Sequence, residues 1–137
     1  MRVILCLFIT GMLIAVFFSS CQSDAQTYLP GTWRIDSVYD YYNGFSYTNR
    51  NPTPKEVYDY RKDSTVLRKG MGEQLLYRYS LQDSTLAIIA SGRQIDQFVI
   101  IHIDDSLLVL KKDKRFLFPG NNQQRYEVRY FTKIETK

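Results

Sequence analysis

Asp63-Ser64, Asp83-Ser84 and Asp105-Ser106 recur at spacings of 20 and 22 residues, each between strand-length runs of mixed apolar and polar residues. Aspartate and serine bond their own neighbouring backbone and accept tight turns, so the repeated pair marks successive hairpin tips. Lys69-Gly70-Met71-Gly72 and Ser91-Gly92 mark the opposite ends, where glycine permits positive φ. One hairpin per twenty or so residues is a meander, in which neighbours in sequence are neighbours in space. No segment of helical length carries a clean 3.6-residue apolar period, so the class is all-β. Eight strands are expected: Gly31–Tyr42, Glu56–Lys62, Thr65–Lys69, Glu73–Leu81, Thr85–Ala90, Asp96–Ile103, Leu107–Lys112 and Gln124–Ile134. Such a meander has two open edges unless it closes, and closure gives a single eight-stranded antiparallel up-and-down β-barrel.

Alternation assigns the faces. In the first strand Trp33, Ile35, Ser37 and Tyr39 fall on one side and Arg34, Asp36, Val38 and Asp40 on the other. Tyr58 and Tyr60 share a face, as do Leu75, Tyr77, Tyr79 and Leu81. Tyr126, Val128 and Tyr130 oppose Glu127, Arg129 and Lys133. Phe98-Val99-Ile100-Ile101 is apolar on both faces, which predicts a strand covered on its outer side or central in the sheet. Asn43 to Pro54, rich in asparagine and proline, reads as the longest connection, without a single conformation.

The first 20 residues read as a signal peptide: Met1-Arg2 is a short basic start, Val3 to Phe18 an apolar run of 16 residues, and Ser19-Ser20 the small pair before Cys21. The run is shorter than the ~20 residues a spanning helix needs. Phe18-Ser19-Ser20-Cys21 resembles a bacterial lipobox, with Phe18 in place of the usual leucine, and the resemblance implies that the Cys21 thiolate takes a diacylglycerol and further acyl chains such as palmitate. Acylated Cys21 then anchors the chain in a bilayer. Cys6 leaves with the leader, so the mature chain has no disulfide and no thiolate metal site. Residues 21–28 form the lipidated cysteine and a short polar tether, and 29–137 form one domain.

The signs of catalysis are few. His102, the only histidine, lies between Ile101 and Ile103 in a strand, where a structural imidazole is the expected role. No nucleophile elbow, glycine-rich phosphate loop or metal-ligand spacing is present, and no cofactor is expected. Asp104-Asp105 reads as a hairpin tip. Loss of Arg2 with the leader lowers the formal charge from +4 to +3. Lys111-Lys112-Asp113-Lys114-Arg115, the densest basic run, reads as a solvated turn, and nucleic acid has no motif here. The chain is read as non-enzymatic.

Gly31-Thr32-Trp33 on the first strand, the strand–Asp–turn units and the aromatic and basic last strand Tyr126–Ile134 together resemble the lipocalin-like lipoproteins of Gram-negative bacteria. The resemblance implies a location in the cell envelope, at the outer membrane. It also implies that Trp33 packs at the closed end of the barrel beneath a basic side chain of the last strand, for which Arg129 is the first choice and Arg125 the second.

Eleven tyrosines fall after the leader. Facing inward, Tyr58, Tyr60, Tyr77, Tyr79 and Phe98 would line a cavity with flat apolar walls and hydroxyl tips, suited to a small hydrophobic or amphipathic ligand. Facing outward, the same ladder would bind protein. Tyrosine also simply fits half-buried strands. The leading expectation is a membrane-anchored ligand-binding barrel. The competing one is a protein-interaction module, an inhibitor or accessory subunit, with a side-chain-filled interior.

Overall fold

A computed structural model describes residues 23–53, 55–120 and 122–135, so the leader and Cys21 lie outside the described residues. A short helix α1 (Asp24–Tyr28) is followed by nine strands: β1 (Gly31–Tyr42), β2 (Phe45–Asn49), β3 (Val57–Tyr60), β4 (Thr65–Gly70), β5 (Glu73–Gln82), β6 (Thr85–Ala90), β7 (Arg93–Ile103), β8 (Leu107–Asp113) and β9 (Arg125–Ile134). Every pairing is antiparallel, each of β3 to β8 pairs with its successor, and β9 returns to β1. The result is a closed eight-stranded antiparallel barrel. The meander closes because β1 is long enough to serve two neighbours, with β9 along its length and β3 on the first four residues of its other edge.

β2 is the ninth strand and a departure from the sequence reading. Asn43 and Gly44, both at positive φ, turn the chain tightly back on itself, and Phe45–Asn49 pairs with the upper part of β1. Asparagine and glycine in a two-residue loop are a strong hairpin signal. The segment from Asn43 to Pro54 is therefore in part a β-ribbon rather than an irregular connection.

The two ends of the barrel differ. The Asp63-Ser64, Asp83-Ser84 and Asp104–Ser106 turns lie at one end together with α1, and the glycine turns lie at the other with the 114–124 connection. The Asp63 carboxylate shows why aspartate recurs, since it accepts from the Thr65 backbone N–H at 3.1 Å, and in the third turn Asp104, rather than the expected Asp105, does the same for Ser106 and Leu107. Trp33, Leu29, Leu86 and Leu108 are fully buried at the first end, with Ile100 and Phe131 above them. α1 covers this end in place of an open tether. Ser23 caps it, and the Leu29 carbonyl just beyond it accepts from the Trp33 indole at 2.8 Å.

Three bulges adjust the faces. Asp36 on β1 and Ile95 and Ile101 on β7 are each one residue more than their partner strands carry. Past Asp36 the parity of β1 reverses, so Val38 packs on the core and Asp40 faces inward, while Ser37 and Tyr39 share the outer face with Tyr130 and Val128. Alternation alone had placed Val38 outside, because a bulge is invisible to a period of two. β9 carries no bulge yet runs against its hydropathy: Glu127 and Arg129 point inward, and Tyr126 and Tyr130 outward. Phe98 is buried, but Val99 and Ile101 are exposed on an uncovered outer face, contrary to the expected cover.

Candidate functional site

The barrel interior changes character along its axis. Above the apolar floor, a small cavity of about 70 Å³ lies among Tyr58, Tyr60, Tyr77, Phe98, Arg68 and Arg129. A buried water occupies on the order of 10–15 Å³ by such a measure, so the cavity holds roughly five waters or a molecule the size of one aromatic ring. A long acyl chain does not fit without rearrangement.

Of the five residues singled out for a cavity wall, Tyr58, Tyr60, Tyr77 and Phe98 border it. Tyr79 does not. It packs edge-on against Tyr60 at 5.4 Å, and its hydroxyl donates to the Arg61 carbonyl at 2.7 Å, toward the closed end. The alternation of β3 and β5 made Tyr58, Tyr60 and Tyr77 legible, and Phe98 of β7 joins them because Val99 and Ile101 face outward. Arg68, Arg129 and Asp96 also border the cavity; Arg68 and Asp96 carry no sequence signal for it, and Arg129 is expected from the sequence at the closed end instead.

Two ion-pair clusters sit at the mouth. In the first, Arg68 bonds Glu56, and the Tyr58 hydroxyl donates to the same carboxylate at 2.6 Å. Burial acts to raise the Glu56 pKa, but the bonds from Tyr58 and Arg68 and the charges of Arg68 and Arg129 outweigh it and hold the carboxyl below its ordinary range. The Tyr58 phenol is held far above its ordinary value by burial first and by Glu56 second. Tyr60, fully enclosed, is likewise pushed up by burial. In the second cluster, the nearly buried Glu127 takes Arg129 on one oxygen and Lys114 at 2.5 Å on the other, and Lys114 also reaches Asp40 at 2.7 Å. Burial would raise the Glu127 pKa, and these two cations lower it overall. Lys112 meets Asp96 at 2.6 Å. Lys112 and Lys114 thus turn back onto the barrel's own carboxylates, a correction to the reading of 111–115 as a solvated turn.

Arg129 also corrects an assignment. It stands over the Phe98 ring at 5.1 Å beside the cavity, and the cation over the indole is Lys133, 5.0 Å from the ring centroid of Trp33. Lys133 lies four residues closer to the closed end on the same strand and pairs directly with Trp33. Gly31 makes room for it: its φ is +134°, and a Cβ there would come within 2.6 Å of the Lys133 Cε. The Gly-x-Trp spacing therefore has a local cause, in that the glycine admits the lysine that covers the tryptophan.

His102 is on the outer surface near the closed end, bonded to Asp104 at 2.7 Å and apart from the cavity. Among the described residues no cluster of metal-ligating side chains occurs. At the mouth end, Phe45, Tyr47, Met71, Phe116, Leu117 and Phe118 are exposed, and the β1–β2 turn is tied to the 114–124 segment through Asn43–Gln124 and Tyr42–Gln123 bonds.

No protein-family model, curated protein or solved structure matches this chain. The reading of its function rests on the barrel and its mouth.

Proposed function

We propose that this chain is a lipocalin-like binding lipoprotein of the cell envelope, held at the outer membrane through acylated Cys21, which takes a small amphipathic molecule of about one ring at the barrel mouth. The observation that carries this reading is the cavity among Tyr58, Tyr60, Tyr77 and Phe98, with Arg68 and Arg129 at its polar side. Aromatic walls favour an apolar body, and guanidinium and phenol groups favour a head that accepts hydrogen bonds. Non-catalytic binding accords with the ionisation pattern. Tyr58 and Tyr60 are held protonated and Glu56 and Glu127 ionised, so none of these four exchanges a proton easily near neutral pH. The direction of the chain is also consistent with anchoring. Ser23 to Leu29 meets the barrel at its closed end, so an anchor before it leaves the mouth on the far side.

Native mass spectrometry of the protein isolated from its own host, together with saturation-transfer NMR against benzoate and benzyl alcohol, tests the reading. A small co-purifying mass, and probe signals lost in Ile95→Trp, are expected, because Ile95 borders the cavity where it is half exposed. Absence of any bound mass and of probe signals, or signals unchanged in Ile95→Trp, would refute it. The second reading, a protein-interaction module, draws its support from the exposed Phe116-Leu117-Phe118 run and Phe45. A co-purifying protein lost on Phe116→Ser with Phe118→Ser, with no small molecule bound, would favour that reading.

A further inference from the structure

A closed barrel has no free edges, yet this one carries an extra strand. β2 pairs with β1 on one side, and among the described residues no strand covers its other side. Tyr42 and Phe45 flank the two-residue Asn43-Gly44 turn and form the first hydrogen-bonded pair of the ribbon. Bonding then alternates along the antiparallel pair, so Phe45, Tyr47 and Asn49 direct their N–H and C=O groups to β1. The corresponding groups of Ser46 and Thr48 point outward at the free edge.

We propose that this edge is the seat of a two-fold pairing between two copies of the chain, β2 against β2 in antiparallel register centred on Tyr47. Three observations select a second copy as the occupant. First, an edge with unpaired main-chain groups calls for another extended strand, and each copy of the molecule presents one such edge. Second, the register is self-complementary. Ser46 meets Thr48 of the other copy and Thr48 meets Ser46, so both outward-facing residues of each strand find partners in a closed, isologous arrangement. Third, charge does not oppose the pairing. Phe-Ser-Tyr-Thr-Asn carries no charged residue and no proline, the usual protections of a free edge, and Arg50 falls opposite Gly44 rather than opposite its own copy. Phe45 and Tyr47, among the most exposed apolar side chains described, at 79% and 69%, come from both copies onto one face of the joined ribbon. Tyr47 meets its counterpart in a non-hydrogen-bonded pair, in which side chains approach most closely.

That geometry gives a residue-level test on the full chain in native membranes. Cα atoms of a non-hydrogen-bonded pair lie about 4.5 Å apart, within the reach of a disulfide. Under a mild oxidant, Tyr47→Cys should form a disulfide dimer at least tenfold above wild type, which sets the background. Thr48→Cys should stay near background, and Ser46→Cys combined with Thr48→Cys should restore the dimer. In a second measurement, the wild-type chain in detergent should sediment as a concentration-dependent dimer, and Tyr47→Lys, which opposes two like charges, as a monomer. Equal cross-linking of Tyr47→Cys and Thr48→Cys, cross-linking of Tyr47→Cys to a different protein, or a wild type that stays monomeric at its highest soluble concentration would each overturn the pairing.

Discussion

Lys133 covers Trp33: its ammonium lies 5.0 Å from the ring centroid and donates to the Tyr28 carbonyl at 2.9 Å, joining the last strand to α1 across the indole. The tryptophan is thus enclosed by the core on one side and capped by a cation on the other. Trp33→Ala should cost about 3–5 kcal/mol, the usual range for emptying a buried aromatic site. Lys133→Met, which keeps the stem and removes the charge, should cost about 0.5–2 kcal/mol. Urea unfolding followed by circular dichroism measures both.

Gly31→Ala should destabilise the barrel although it adds one methyl group. The backbone there is at φ +134°, and the new Cβ would displace the Lys133 stem. A melting temperature lower than that of wild type is expected, with part of the loss relieved in Gly31→Ala combined with Lys133→Ala. If the double variant is no better than the single one, backbone strain alone is the cause.

Acid should weaken the mouth first. Glu56 and Glu127 have pKa values in the folded chain below the ordinary glutamate value of 4.5. Groups depressed on folding stabilise the folded state above their unfolded pKa, and that contribution is lost as pH falls through the folded value. Stability should therefore be flat above about pH 5 and decline below about 4.5. Glu127→Gln should lower stability near neutral pH, by leaving Arg129 and Lys114 without a shared carboxylate, and should reduce the acid slope. Thermal melts from pH 7 to pH 3 give both quantities.

Alkali should act in the opposite sense through the tyrosines. Tyr58 and Tyr60 are raised on folding, so the stability they contribute is complete below their unfolded value of 10.0 and is lost as pH rises above it. Their ionisation should appear in tyrosinate absorbance together with loss of β-type circular dichroism. A titration in which every phenol ionises before the fold is lost would show Tyr58 and Tyr60 to be accessible.

Much of the barrel was legible because its turns repeat. Asp63-Ser64, Asp83-Ser84 and the glycine pairs are local chemistry, and the strands between them follow. The ribbon β2 was legible in Asn43-Gly44 but was hidden by the prolines and asparagines after it. The cavity was half legible. Tyr58 and Tyr77 alternate cleanly with Asp59 and Arg78, whereas Arg68 and Glu127 face inward beside opposite charges on neighbouring segments, Glu56 and Lys114, and the Glu127–Arg129 pair on one strand reads as an outer face until the register of β9 is known. Lys133 was missed as the cover of Trp33 because register, not composition, chooses among the basic residues of β9.

The supernumerary Asp36 works as a reading-frame shift written in backbone. Before it, β1 sends Trp33 and Ile35 to a dry floor; after it, the same strand sends Asp40 to a wet, ionic mouth and leaves Tyr39 and Tyr41 outside against Tyr126. Were Asp36 to take a place in the ladder, strict alternation would exchange the two populations, directing two phenols into the space where Lys114 now finds its carboxylate. Two compartments of opposite polarity on one strand therefore depend on a single residue left out of the ladder, and deleting Asp36 should straighten β1 while keeping Ile35, Val38 and Asp40 on the inner face.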